Sequence, residues 1–141
     1  MSYGAARNEQ AREGIVRFGL VTAVDAGVAR AKVSFGGESE SNWLPWLAER
    51  AATIKVWAPV AIGEQVVVLS ESGDTAQGVI VGSVFSASNA APSGDGAQHL
   101  LQLGASSISV KDGAIVISSN GSAITIDAGG IRLNGARIDL N

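Results

Sequence analysis

The chain has no cysteine, which excludes disulfides, thiolate metal sites and a cysteine nucleophile. Its single histidine, His99, means that no site can draw two imidazoles from one copy. Aromatic residues make up only 5% of the sequence and charged residues 16%. Acidic groups outnumber basic ones by thirteen to ten, for a net charge of −3. A protein whose main partner is nucleic acid draws most of its affinity from a basic surface, so the composition argues against that class. No apolar run reaches the roughly 18 residues of a membrane-spanning helix, and residues 1–13 are polar and charged, unlike the apolar stretch of a signal peptide. A protein made and kept soluble in a cytoplasm is expected. What the chain does have is aliphatic side chains interrupted by eighteen glycines, the composition of a β-rich protein with many tight turns.

Residues 1–13 include the good helix formers Ala5-Ala6-Arg7-Asn8-Glu9-Gln10-Ala11-Arg12-Glu13 and stop at Gly14. A helix this short is marginal alone in water, so residues 1–14 are read as an arm that orders against a partner. The pattern then changes to strands. Residues 15–24 are rich in β-branched side chains and end in the turn signal Asp25-Ala26-Gly27. Residues 28–35 alternate, with Arg30, Lys32 and Ser34 on one face. Residues 54–57, 63–69 and 78–85 read as three further strands, with the Trp43-Leu44-Pro45-Trp46-Leu47 segment between the second and third. Five short strands with turns between them predict an all-β domain over 15–86, a closed barrel of the OB type without free edges. Residues 87–106 are small, polar and glycine-rich in their first half and read as a linker or neck.

The last segment, 107–141, repeats. The apolar pairs Ile108/Val110, Ile115/Ile117, Ile124/Ile126, Ile131/Leu133 and Ile138/Leu140 follow one another at spacings of 7, 9, 7 and 7 residues. Between them stand Lys111-Asp112-Gly113, Asn120-Gly121, Ala128-Gly129-Gly130 and Asn134-Gly135. Each unit is a strand with one aliphatic face, followed by a turn that tolerates positive φ. Such a short repeat predicts a β-helix. One copy cannot complete it: a single-chain parallel β-helix takes about 20 residues per coil, and the aliphatic stripe of one copy cannot cover itself. Three copies, each giving one face of a triangular prism, would bury all ten of these side chains on the axis, with main-chain hydrogen bonds running between subunits. Ser109, Lys111, Thr125, Asp127, Arg132 and Arg137 would point outward. The expected architecture is therefore an N-terminal OB barrel followed by an intertwined trimeric β-helix.

Several residues also carry a resemblance. Trp43-Leu44-Pro45-Trp46-Leu47-Ala48-Glu49-Arg50, Trp57-Ala58-Pro59, Gly63-Glu64-Gln65-Val66-Val67-Val68-Leu69-Ser70, Gly73-Asp74 and Gly78-Val79-Ile80 resemble the baseplate assembly protein V family. Members are the central spikes of contractile-tailed phages and R-type bacteriocins. The resemblance implies an OB fold that joins the baseplate hub and a trimeric β-helix that pierces the host outer membrane on sheath contraction. It implies a place in the virion tail baseplate, assembled in the bacterial host cytoplasm. Longer members carry a His-x-His pair near the C-terminus, where three copies hold an iron ion. Here Asn141 follows Ile138-Asp139-Leu140 and the only histidine is His99, so the spike is either blunt or capped by a separate tip protein, and the aliphatic end and strand edges exposed at Leu140 favour the cap. No cofactor or metal is expected.

Other chemistries are weaker on the sequence. Three copies of His99 could meet on a three-fold axis and bind an ion, but a polar residue at the linker junction is the simpler reading. Trp43, Trp46 and Trp57 could stack bases, and an OB-fold nucleic-acid-binding module with an oligomerising tail is the alternative function. Basic residues do not cluster around these tryptophans in the sequence, so packing roles are favoured. No Gly-x-Ser-x-Gly elbow supports a hydrolase, and Glu38 and Glu40 lie in a polar loop rather than as a glycosidase pair. Gly78 to Gly82 and Gly129-Gly130 lack a following Lys-Ser or Lys-Thr and read as turns, not phosphate cradles. Asp127-Ala128-Gly129-Gly130-Ile131 lacks the repeated acidic turn of calcium-binding nonapeptides. The chain is read as a non-enzyme.

Overall fold

A computed structural model describes residues 15–74 and 76–141. The arm expected over 1–14 lies outside these residues. The division between two compact units falls between Ala91 and Pro92. Every strand named below belongs to one of two sheets.

The first sheet is the barrel. β1 (Val16–Asp25) pairs antiparallel with β2 (Arg30–Gly36), and also with β5 (Gln65–Leu69). β2 carries two short partners, β3 (Ser39–Glu40) and β4 (Leu44–Pro45), and β5 pairs with β6 (Val79–Val84). The two ends of the sheet meet where Trp46 bridges Ile80 in parallel sense and the Leu47 N–H donates to the Ile80 carbonyl at 2.9 Å. The inward residues of the alternating strands form the core: Val21, Ala31, Val33, Leu44, Val66, Val68 and Ile80 are all buried, with Val24, Phe35, Trp46 and Val60 packed on them. Buried Ser41 is fully used, its Oγ accepting from the Val33 N–H at 2.9 Å and donating to the Asn42 carbonyl at 2.7 Å. Gly19 is dictated by packing. A Cβ there would strike Val33 Cγ1 and come within 2.8 Å of the Ser34 carbonyl oxygen.

One expected strand is corrected. Residues 54–57 form no strand; the segment folds back on itself through Val56 N–H to Arg50 O at 3.0 Å and Ala52 N–H to Ile54 O at 3.2 Å. Ile54 is 70% exposed. Its β-branched character favours extended backbone, but no neighbouring strand offers it a ladder, and Pro59 removes a donor just beyond. The partner that β2 does take at this edge is the two-residue β4.

The second sheet is a meander of β7 (Gln98–Leu103), β8 (Ser106–Lys111), β9 (Ala114–Ser119), β10 (Ser122–Asp127) and β11 (Gly130–Asn134), paired in chain order. All four pairings are antiparallel. The ladders expected to run between subunits therefore run within the chain across these strands. The cause is the turns: each joins its strands through two residues, and the Asn120-Gly121 turn has φ of 51° and 88°, the two positive values of a type I′ hairpin. Gly104 and Gly113, at φ of 56° and 82°, act likewise in their own turns. The meander also begins earlier than expected, because β7 occupies residues read as neck. Ile138 and Leu140 lie beyond β11, outside any strand.

Candidate functional site

Register turns the repeats of the second sheet into columns. His99, Val110, Ile115, Ile126 and Ile131 stand opposite one another on successive strands, and beside them Leu101, Ile108, Ile117, Ile124 and Leu133 do the same. A third column holds Leu103, Ser106, Ser119 and Ser122. Because side chains alternate, all three columns lie on one face. The face carries no Asp, Glu, Lys or Arg side chain. Its central members, Ile108, Val110, Ile115, Ile117, Ile124 and Ile126, are each 36–43% exposed in the single chain. Eight of the ten residues expected at a trimer core are thus gathered on this face. The other two are not in the columns: Ile138 lines the edge of the open trough over Ile108, Ile117, Ile124 and Leu133, about 610 Å³ in volume, and Leu140 is 86% exposed. Sequence reasoning missed Leu101 and Leu103. Their signal was the spacing His99-x-Leu101-x-Leu103 ahead of Gly104, obscured by the adjacent Leu100.

The opposite face is mainly polar, with Leu100 and Val116 set among Ser109, Thr125 and Arg132. Gln98 Nε2 donates to Ser109 Oγ at 2.8 Å, and Lys111 pairs with Asp95 at 2.7 Å. Arg132 clamps Asp127 through two guanidinium nitrogens at 2.6 and 3.1 Å, and the Gly129 N–H adds a third bond at 2.9 Å. Arg137 lies past β11 and pairs with Asp139 at 3.0 Å. The Arg132 guanidinium, followed by the Gly129 N–H, holds the Asp127 carboxyl below the ordinary carboxylate range. A carboxyl depressed on folding favours the folded sheet above its unfolded pKa, and that contribution fades as pH falls through the lower folded value. Tail stability should therefore decline on the acid side of the ordinary Asp range, and D127N should flatten that limb. Thermal melts of both proteins between neutral and acid pH check it.

The barrel has an apolar face of its own on its outside. Val16 stands opposite Leu69 and Phe18 opposite Val67, and Leu69 in turn opposite Val79. Val16, Phe18, Leu20 and Leu69 are exposed, as is Val84 on β6. Of the three tryptophans only Trp46 is packed on the core; Trp43 and Trp57 are exposed. Trp46 packs on the core and against Trp57, with ring centroids 5.8 Å apart and planes tilted by 49°. Lys32 lies over Trp43 with its Nζ 5.3 Å from the ring centroid, but the Glu40 carboxylate is 3.8 Å from the same ammonium. Glu40 also accepts from Thr22 Oγ1 at 2.9 Å, so it is an ordered partner within the sheet rather than a free acid. Among the described residues no group of three His, Asp or Glu side chains is placed to hold a metal ion, and His99 sits at the end of an apolar column.

Residues 17–85, almost the whole barrel, match the family described as the type VI secretion system/phage-baseplate injector OB domain. Over these residues the barrel is similar to that family. The likeness to the baseplate assembly protein V family, carried by residues 43–80, is borne out over this domain. The spike protein of Escherichia phage P2 is 30% identical over 84 residues, which cover 60% of this chain and 39% of the relative. The chain thus spans well under two thirds of that relative's length.

Proposed function

We propose that the chain is the central spike of a contractile tail baseplate, a trimer whose tail sheets share one axial core and whose barrel joins the hub. The observation that carries this reading is the uncharged aliphatic face of the tail. A monomer that left two full aliphatic columns in water would be a poor solute, and a single sheet has nothing of its own to lay over them. Three such faces closed around an axis make a dry aliphatic rod with the Arg132–Asp127 and Lys111–Asp95 pairs outside. That rod is a three-sided β-prism, not intertwined in its ladders, in which Ile108, Val110, Ile115, Ile117, Ile124, Ile126, Ile131 and Leu133 form the core, with Ile138 and Leu140 completing it beyond β11. Its task is mechanical: it transmits the push of the contracting sheath to the host outer membrane and needs stiffness, not a reaction. The outer barrel face of Val16, Phe18, Leu20, Leu69 and Val84 is apolar enough to suit a protein partner such as the hub.

Native mass measurement tests the reading. The full chain at micromolar concentration should run at three times its 14.3 kDa mass, resist dissociation, and show no salt-sensitive shift of short single-stranded nucleic acids. A folded monomer at that concentration would end the proposal, and a salt-sensitive shift would return the nucleic-acid-binding module.

A further inference from the structure

We infer that the tails join asymmetrically, the serine flank of one sheet closing on the His99-to-Ile131 flank of the next copy. The inference rests on the shared-core reading and adds the seam to it. Five strands about 4.8 Å apart and six residues of about 3.3 Å each give a face of roughly 24 by 20 Å, about 480 Å². Three such faces amount to about 1,400 Å² across the whole trimer, roughly 480 Å² for each pair of copies and so less than a standard two-partner interface; the uncharged surface suits a second copy of itself better than a charged partner.

The two flanks of that face differ in chemistry. One carries the branched side chains Val110, Ile115, Ile126 and Ile131, with His99 at its end; the other carries Ser106, Ser119 and Ser122, with Leu103 at its end. In any cyclic assembly the contact is head-to-tail, so each copy offers one flank to the neighbour on its left and the other flank to the neighbour on its right. Corners of a prism are where two sheets crowd most, and small hydroxyls opposite branched methyls give the volume match that two branched columns could not. Ser106 Oγ and Ser119 Oγ lie 2.7 Å apart and share one hydrogen bond within the sheet, so only one O–H of this pair is left to water or to the neighbour.

The absence of native cysteine makes the seam directly testable. Single variants S119C and I115C, and the double variant S119C/I115C, are treated with a short thiol-to-thiol crosslinker and run on a denaturing gel. V110C and I126C, each combined with S119C, cover a seam displaced by one strand. The expected result is one-chain bands for both single variants and a three-chain band for at least one of the doubles. Two-chain products only, or crosslinking of a single variant with itself, would indicate a face-to-face sandwich and overturn the seam. No crosslink from any double variant, while native mass stays at three chains, would also overturn it. A one-chain native mass for the unsubstituted protein would instead overturn the shared core on which the seam rests.

Discussion

Ile124→Asp should abolish the three-chain species and leave single chains with folded barrels. Ile124 sits in the middle column, opposite Ile117 on β9 and Leu133 on β11. In one chain it is 40% exposed, so a carboxylate there is tolerated by the isolated sheet. The cost appears only on closure, when three carboxylates must leave water together with no cation on the face to meet them. An uncompensated buried charge costs about 3–5 kcal/mol, so three copies weaken assembly by more than about six powers of ten at 1.4 kcal/mol each. Protonation would relieve part of this, so the loss should be deepest at neutral pH and shallower in acid. The control lies one residue away. Thr125 points to the polar face, and T125D should leave the assembly within about 0.5 kcal/mol of the parent. Sedimentation gives the assembly state. All three tryptophans, Trp43, Trp46 and Trp57, lie in the barrel and none in the tail, so tryptophan emission reports separately that the barrel has survived. Persistence of a stable I124D trimer would show that the Leu101-to-Leu133 column does not face the axis.

The legibility of the two halves differed for physical reasons. In the tail, the side-chain period of two and the two-residue turns act together. Once Asn120-Gly121 sets one hairpin, Ile117 must stand opposite Ile124, and the columns follow from the spacing of the pairs. What spacing could not reveal was which chain supplies the neighbouring strand: the same turns that mark the repeat also fold it back on itself, so the ladders are internal and only side chains are left to meet another copy. β7 escaped notice because Leu100 and Leu101 are adjacent, which hides the alternation, and because its upstream neighbours look like linker. In the barrel, the long strands 15–24, 63–69 and 78–85 were legible from β-branched runs between turn signals. Residues 54–57 have the same composition and are not a strand, because strand formation needs a partner edge and β2 spends that edge on Leu44–Pro45. The outward row Val16, Phe18, Leu20 was invisible as a surface. In a strand apolar on both faces, nothing local says which side is covered.

Ile80→Ala should destabilise the barrel by about 2–5 kcal/mol. Ile80 is 1% exposed, and it stands opposite Val68 on β5. Its carbonyl takes the Leu47 N–H and its backbone bridges Trp46, so its side chain fills the core where the two ends of the sheet meet. Collapse into the vacated space would have to drag β6 inward against the β5 ladder or pull Trp46 off Trp57, so little of the cavity can be relaxed away. A unit of this size has a total stability of only about 4–10 kcal/mol at 0.05–0.15 kcal/mol per residue. The variant should therefore lose at least half of the smaller figure, and its barrel should melt at least about 8 °C lower. Tryptophan emission is the direct readout, because Trp46 rests against the same core. V81A is the matched control: Val81 is the next residue along β6, sits at the register shift between Val67 and Val68, and is exposed, so its truncation should change the melt by less than about 0.5 kcal/mol. Equal melts for I80A and the parent would mean that the barrel is held by its ladders alone and that the Trp46–Ile80 junction is incidental.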